Sequence, residues 1–155
     1  MGLDLNYEAA VLVDTENLSR EDWLSWRRRG IGGSDAAAVM GLSPFCTKRD
    51  LYYDKRDIQP VMDEEEDNWV AKEVGHRLEE LVAEIFARKT GFKVYAVRKM
   101  FQHPLYPFML ADVDYFIEFA DGTTGILECK TTNYNCQNKW SNDSVPVNYE
   151  YQGRH

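Results

Sequence analysis

The sequence predicts an α/β domain in which a central mixed β-sheet is flanked by helices. Three observations carry this expectation. A run from about Trp69 to Lys89 repeats apolar residues at helical spacing. Three later segments, Phe92 to Phe101, Leu110 to Phe119 and Gly125 to Thr131, read as strands. Ahead of them, glycines and a Ser-Pro pair punctuate a series of short helices. The 155 residues, 44% hydrophobic, suffice for one domain with a core. Neither a repeat nor a Pro/Gly/Ser linker divides them, so residues 1–18 are an N-terminal extension and residues 19–155 the domain.

Ser19, with an acid three residues on, opens a helix through DWLSWRRRG that Gly30 ends. GIGGSDAAAVMG is a glycine-rich turn followed by a short helix from Ser34 or Asp35 to Gly41. Ser43-Pro44 breaks the chain before a helix near Lys48 to Arg56, and the acidic run Asp63 to Asp67 reads as a solvated loop. In the long helix, Val70, Val74, Leu78, Leu81, Val82 and Ile85 form the apolar stripe, and Gly91 stops it. At helical spacing Glu80 falls roughly 160 degrees from the stripe's centre and Glu79 roughly 100 degrees. Glu80 is therefore a surface residue, whereas Glu79 shares a flank with Gly75, Val82 and Phe86 and wants a partner. Trp23 and Trp69 fit helix core positions. Thr132 to Asp143 reads as irregular, and Pro146 opens a last helix.

The formal charge of −8 argues against a polyanion binder, but it is unevenly spread. Residues 19–59 hold eight basic groups against six acids, and residues 60–91 hold nine acids against four bases, so any anion would bind locally in the first stretch. No apolar run approaches the roughly 18 residues of a membrane span. The acidic first twenty residues do not read as a signal peptide. Three cysteines without a CxxC pair do not build a disulfide framework or structural zinc site, so a soluble protein of a reducing, intracellular compartment is expected. His76, His103 and His155 are scattered without ligand spacing and are read as structural or solvent-facing.

Asp114, then a turn, then Glu128-Cys129-Lys130 sets two carboxylates and a lysine on neighbouring antiparallel strands. Carboxylates on rigid strands can hold a hard divalent cation, and a lysine beside them can orient a bound water and offset phosphate charge. That is apparatus for phosphodiester hydrolysis. Hairpin parity tests it. A two-residue type I′ turn at Asp121-Gly122, pairing Ala120 with Thr123, would set Asp114 on the face of Cys129, away from Glu128. A shared site needs an odd loop, for example Asp121 to Thr123 pairing Ala120 with Thr124, and an odd loop is predicted. Separately, the glycines and Ser34 at a helix start, seven residues after Arg27, can form an anion site. They can equally be a capping serine beside solvated arginines.

The ordered pattern Trp23, Arg27, IGGSDAA (Ile31 to Ala37), Gly75 to Glu79, Thr90-Gly91, MLADVD (Met109 to Asp114), ILECKTT (Ile126 to Thr132), Trp140, Val145-Pro146, Tyr149 and Gln152 resembles the YqaJ-like phage recombination nucleases. These are relatives of lambda exonuclease with the restriction-endonuclease-like PD-(D/E)XK core. The resemblance implies Glu79, Asp114 and Glu128 as metal-site acids, with the Cys129 carbonyl as a further ligand and Lys130 as the catalytic lysine. It implies Gln152 as an active-site helper, and Arg27 and Ser34 as the site for a 5′-terminal phosphate. The implied activity is Mg2+- or Mn2+-dependent 5′-to-3′ digestion of one strand at double-stranded DNA ends, in a bacterial cytoplasm and of phage or prophage origin. It feeds a single-strand annealing protein, and the implied assembly is a homo-trimer. The rival readings are an endonuclease of the same chemistry and a non-catalytic interaction or DNA-binding protein that keeps the scaffold. Two departures stand out: an acid at Asp112, where the family has Asn or a small residue, and an end at His155, where relatives continue through a further C-terminal part.

Overall fold

The computed structural model describes residues 8–58, 69–132, 134–140 and 144–155, so the predicted acidic loop Asp63 to Asp67 lies outside the described residues. In chain order the elements are β1 (Ala10–Asp14), α1 (Arg20–Arg27), β2 (Ile31–Gly32), a 3-10 turn (Gly33–Asp35), α2 (Ala36–Met40), α3 (Lys48–Lys55) and α4 (Trp69–Thr90). There follow β3 (Lys93–Gln102), β4 (Met109–Glu118), β5 (Thr124–Leu127), a second 3-10 segment (Tyr134–Trp140) and α5 (Val147–Arg154). The strand order is β1-β3-β4-β2, and β5 also pairs with β4. β1 with β3 and β4 with β5 are antiparallel, whereas β2 with β4 is parallel. The fold is the mixed α/β sheet the sequence predicts. No helix among the described residues is long and apolar enough to cross a membrane.

Local chemistry explains the boundaries. The Ser19 hydroxyl accepts the Asp22 N–H at 3.1 Å at the start of α1. Thr47 and Asp50 form a reciprocal capping box on α3, and Pro146 stands at the N-terminus of α5. β2 lies close on β4 because Gly30 has no side chain: a Cβ there would stand 2.4 Å from the Phe108 carbonyl oxygen.

Four expectations are corrected. Residues 10–14, assigned to an N-terminal extension, form β1. Its pairing skips Leu12 as a bulge between Val11 opposite Phe101 and Val13 opposite Met100, a partnership too distant in sequence to show in local pattern. The last predicted strand is paired only through Leu127, and the irregular stretch after Thr132 contains the 3-10 segment. The long helix also turns differently from its apolar stripe. Val70, Val74, Leu78, Leu81 and Ile85 are 36–51% exposed and Trp69 is 61% exposed, while Ala83 is buried. Gly75, Glu79, Val82 and Phe86 are half-buried. Hydrophobic periodicity reports an apolar face; close packing selects the face with small residues.

By its contacts the chain divides into two compact units. One comprises residues 1–59, 99–112 and 142–155, the other residues 60–98 and 113–141. The first has Ala37, Ala38, Leu51, Met100 and Leu110 in its interior together with the carboxylate of Asp35. The second buries Ala83, Val113, Ile117 and Cys129, with Phe86, Phe92 and Phe119 stacked edge to face or tilted alongside.

Candidate active site

The hairpin of the second unit decides which carboxylates can meet. Phe119 donates its N–H to Thr123 O at 2.9 Å, and Gly122 donates to Phe119 O at 2.9 Å. Gly122 has φ +81°, whereas Asp121 is not among the residues with positive φ. A type I′ turn needs positive φ at both central residues, so this is a three-residue loop, Ala120 to Gly122, closed by a left-handed glycine. The Asp121 carboxylate accepts from Thr123 Oγ1 at 2.6 Å and Thr123 N at 3.0 Å. The loop is odd, as predicted, but starts one residue earlier than the example, so Ala120 is not paired with Thr124. Observed pairs are Glu118 with Thr124, Ile117 with Gly125, Phe116 with Ile126 and Tyr115 with Leu127. Continuing this register by one residue sets Asp114 across from Glu128, on one face.

The groups around that point share one electrostatic neighbourhood. Glu128 Oε1 accepts from Lys130 Nζ at 2.5 Å, with the two side chains 31% and 29% exposed. On α4, Glu79 is half-buried with its Oε2 3.4 Å from His76 Nδ1, while Glu80 is exposed, as the helical spacing predicts. A Cβ on Gly75 would lie 3.2 Å from Thr131 Oγ1, so the helix approaches the segment after Glu128 closely one turn before Glu79. Between them the buried Cys129 thiol is pushed up to about 11. Burial is the main cause, followed by the negative fields of Asp114, Glu79 and Glu128, with Lys130 opposing. The Tyr115 phenol is raised by its burial and then by Cys129, Glu79, Asp114 and Glu80.

Three carboxylates and an ammonium thus act electrostatically on one buried thiol. Among the described residues no three Asp, Glu, His or Cys side chains are gathered tightly enough to ligate a single ion. The donor set nonetheless suits a hard cation: Mg2+ keeps several waters and takes only one or two carboxylates, with substrate oxygens completing its shell. Lys130 is the counter-charge of Glu128.

The first unit holds the other predicted residues. Arg27 Nη2 donates to Ser34 Oγ at 2.8 Å and to Asp35 Oδ1 at 2.6 Å. Ser34 therefore does not cap a helix. The cap is made by Asp35, whose Oδ2 accepts the Gly32 N–H at 2.9 Å. The same Oδ2 lies 2.6 Å from Lys55 Nζ, which also donates to Arg27 O at 3.1 Å. No sequence motif joins Asp35 to Lys55; the one local signal is an acid three residues after Gly32, which is capping-box spacing. The Arg27 guanidinium lies 5.4 Å over the Trp23 ring, and Trp23 Nε1 donates to Asp112 Oδ2 at 2.6 Å. The extra acid at Asp112 thus holds a tryptophan. Gln152 comes beside the glycine turn: a Cβ on Gly33 would be 3.3 Å from Gln152 Cγ. His155 Nε2 lies 3.1 Å from Leu110 O, and His103 Nδ1 accepts from Leu105 and Tyr106 N–H at 3.1 Å, both structural roles.

Comparison with known proteins shows the family and the fold. The model of the YqaJ-like viral recombinase domain matches residues 22–155. The chain belongs to this family. The "Uncharacterized protein YqaJ" of Bacillus subtilis (strain 168) is 38% identical over 147 residues, 95% of this chain and 44% of the relative. Among solved structures, the crystal structure of LHK-Exo in complex with dAMP has the same fold, with a TM-score of 0.61 and 21% identity over 85% of this chain and 64% of that one. This YqaJ-like chain therefore spans less than half the length of the Bacillus relative and under two thirds of the LHK-Exo chain.

Proposed function

We propose that this YqaJ-like domain is a divalent-metal-dependent deoxyribonuclease that digests double-stranded DNA 5′-to-3′ from its ends. The observation that supports it most is that Glu79, Asp114, Glu128 and Lys130 all act on the buried Cys129, beside a hairpin whose register runs up to Tyr115 opposite Leu127, one residue short of Asp114 and Glu128. In this reading Glu79, Asp114, Glu128 and the Cys129 carbonyl would hold Mg2+ or Mn2+, some of them through the ion's own waters rather than directly. The ion supplies activation of water and neutralisation of phosphate charge. The Lys130 ammonium, held by Glu128, orients the attacking water and faces the charge that develops on the phosphate. Arg27 and Ser34 receive the 5′-terminal phosphate through N–H and O–H donors, and Gln152 keeps the helper role that the family resemblance implies.

The same reading sets the protein in the cytoplasm of a bacterium, phage-derived, handing a single strand to an annealing protein and working as a homo-trimer. The assay compares linear 5′-phosphorylated duplex, linear 5′-hydroxyl duplex and closed circular DNA, with and without Mg2+. Metal-dependent digestion that favours the 5′-phosphorylated end is expected. Cutting of closed circles would instead make it an endonuclease, and the absence of all cutting a binding protein on a nuclease scaffold.

A further inference from the structure

The terminal-phosphate residues proposed above rest on a third group that the phosphate would not touch. Asp35 is 4% exposed and carries a negative charge in the interior of the first unit. Burial opposes that charge, but the fields and hydrogen bonds of Arg27, Lys55 and the Gly32 N–H outweigh it and hold the carboxyl below its ordinary range. Each oxygen has its own work. Oδ1 takes one N–H of Arg27 Nη2, whose second partner is Ser34 Oγ; Oδ2 takes Lys55 Nζ and the Gly32 N–H. Lys55 in turn ties the Arg27 backbone carbonyl. The guanidinium is fixed at its Nη2 end and lies over Trp23, while the side chain stays 27% exposed. Two cations share one anion, which leaves one net positive charge on a preorganised frame.

We propose that Asp35 is the positioning residue of this pocket: it locks Arg27 toward Ser34 and, with Lys55, sets the single surplus positive charge that selects a phosphorylated DNA end. The inference rests on the 5′-phosphate reading of Arg27 and Ser34. A lysine held this way is more than a surface charge, because removing it leaves Arg27 and Asp35 to cancel one another. An asparagine at position 35 keeps the shape but only one acceptor, so two cations that now repel lose their shared anchor and the guanidinium is no longer locked toward Ser34. The loss of position, not of charge, lowers the preference.

The test measures binding by fluorescence anisotropy in EDTA, so that no cutting intervenes, on duplexes identical except for a 5′-phosphoryl or 5′-hydroxyl end. The readout is the ratio of the two affinities, which a general loss of folded protein does not move. For the unaltered protein the ratio favours the phosphorylated end. Asp35→Asn should lower it about tenfold, and Lys55→Met, which leaves a neutral pair and so tests the same point if Asp35→Asn fails to fold, should lower it comparably. Arg27→Gln is the reference for the underlying reading. If Arg27→Gln abolishes the preference while folded Asp35→Asn or Lys55→Met retains it, the positioning role is overturned and the phosphate site stands. If Arg27→Gln leaves the preference intact, the phosphate reading fails and the role of Asp35 falls with it.

Discussion

Replacing Gly30 by alanine would put a methyl group 2.4 Å from the Phe108 carbonyl oxygen and 2.8 and 3.0 Å from Cγ and Cδ1 of Leu110. The oxygen is backbone and cannot swing away, and it already accepts the Ile31 N–H at 2.7 Å. Relief must come from moving the parallel β2–β4 pair, which begins at Ile31 opposite Met109. Lengthening that bond costs about 1 kcal/mol, and crowding the 2%-exposed Leu110 costs about 1–3 kcal/mol more. The stiffer unfolded chain returns about 0.5 kcal/mol, so a net loss of about 1.5–3.5 kcal/mol is expected. Gly153 is the control, since nothing lies within 4 Å of a Cβ there. Being inside α5, Gly153→Ala should stabilise by about 0.5–1 kcal/mol. Urea unfolding followed by circular dichroism, with m-values compared, measures both. A Gly30→Ala protein within about 0.5 kcal/mol of the parent would refute the idea that close backbone approach seats β2 on β4.

Three further outcomes follow from the site. Glu128→Ala should abolish Mg2+-dependent digestion yet change urea stability by about 1 kcal/mol or less, because the ion pair it breaks is roughly a third exposed; full digestion by this variant would defeat the assignment of Glu128. Cys129, with its thiol pushed up to about 11, should resist iodoacetamide at pH 8 in the folded protein and react once unfolded, read by mass spectrometry; rapid native labelling would contradict the burial and the negative surroundings. The Asp35 carboxyl lies below its ordinary 3.8 in the fold, so its stabilising charge is fully present above that value and is lost only as pH falls below it. The stability gap between the parent and Asp35→Asn should stay level from pH 7 to 5 and close in stronger acid, and a gap that closes near neutrality would point to another group.

Much of the fold follows from local chemistry. Ser19, Thr47 and Pro146 mark helix starts through caps made within a few residues, and the alternation in β4 puts Val113 and Ile117 inside while Asp112 stays exposed. Parity also works from sequence, because a face in a strand is a matter of counting: an odd loop was needed to bring Asp114 to Glu128, and an odd loop is present. Asp-Gly misled only about turn type, because the glycine alone adopts positive φ.

What the sequence by itself determined, then, is the α/β class, the long helix and the β4–β5 hairpin, and the family pattern that runs from Trp23 to Gln152. Only the tertiary structure decided which face of α4 turns inward, where β1 finds its partner, that Asp112 holds Trp23, and that Asp35 and Lys55 frame Arg27. The physical reason is range. Caps, turns and alternation are settled by neighbours a few residues apart, whereas a buried carboxylate shared by cations 8 residues before it in α1 and 20 residues after it in α3 depends on contacts that no local pattern encodes.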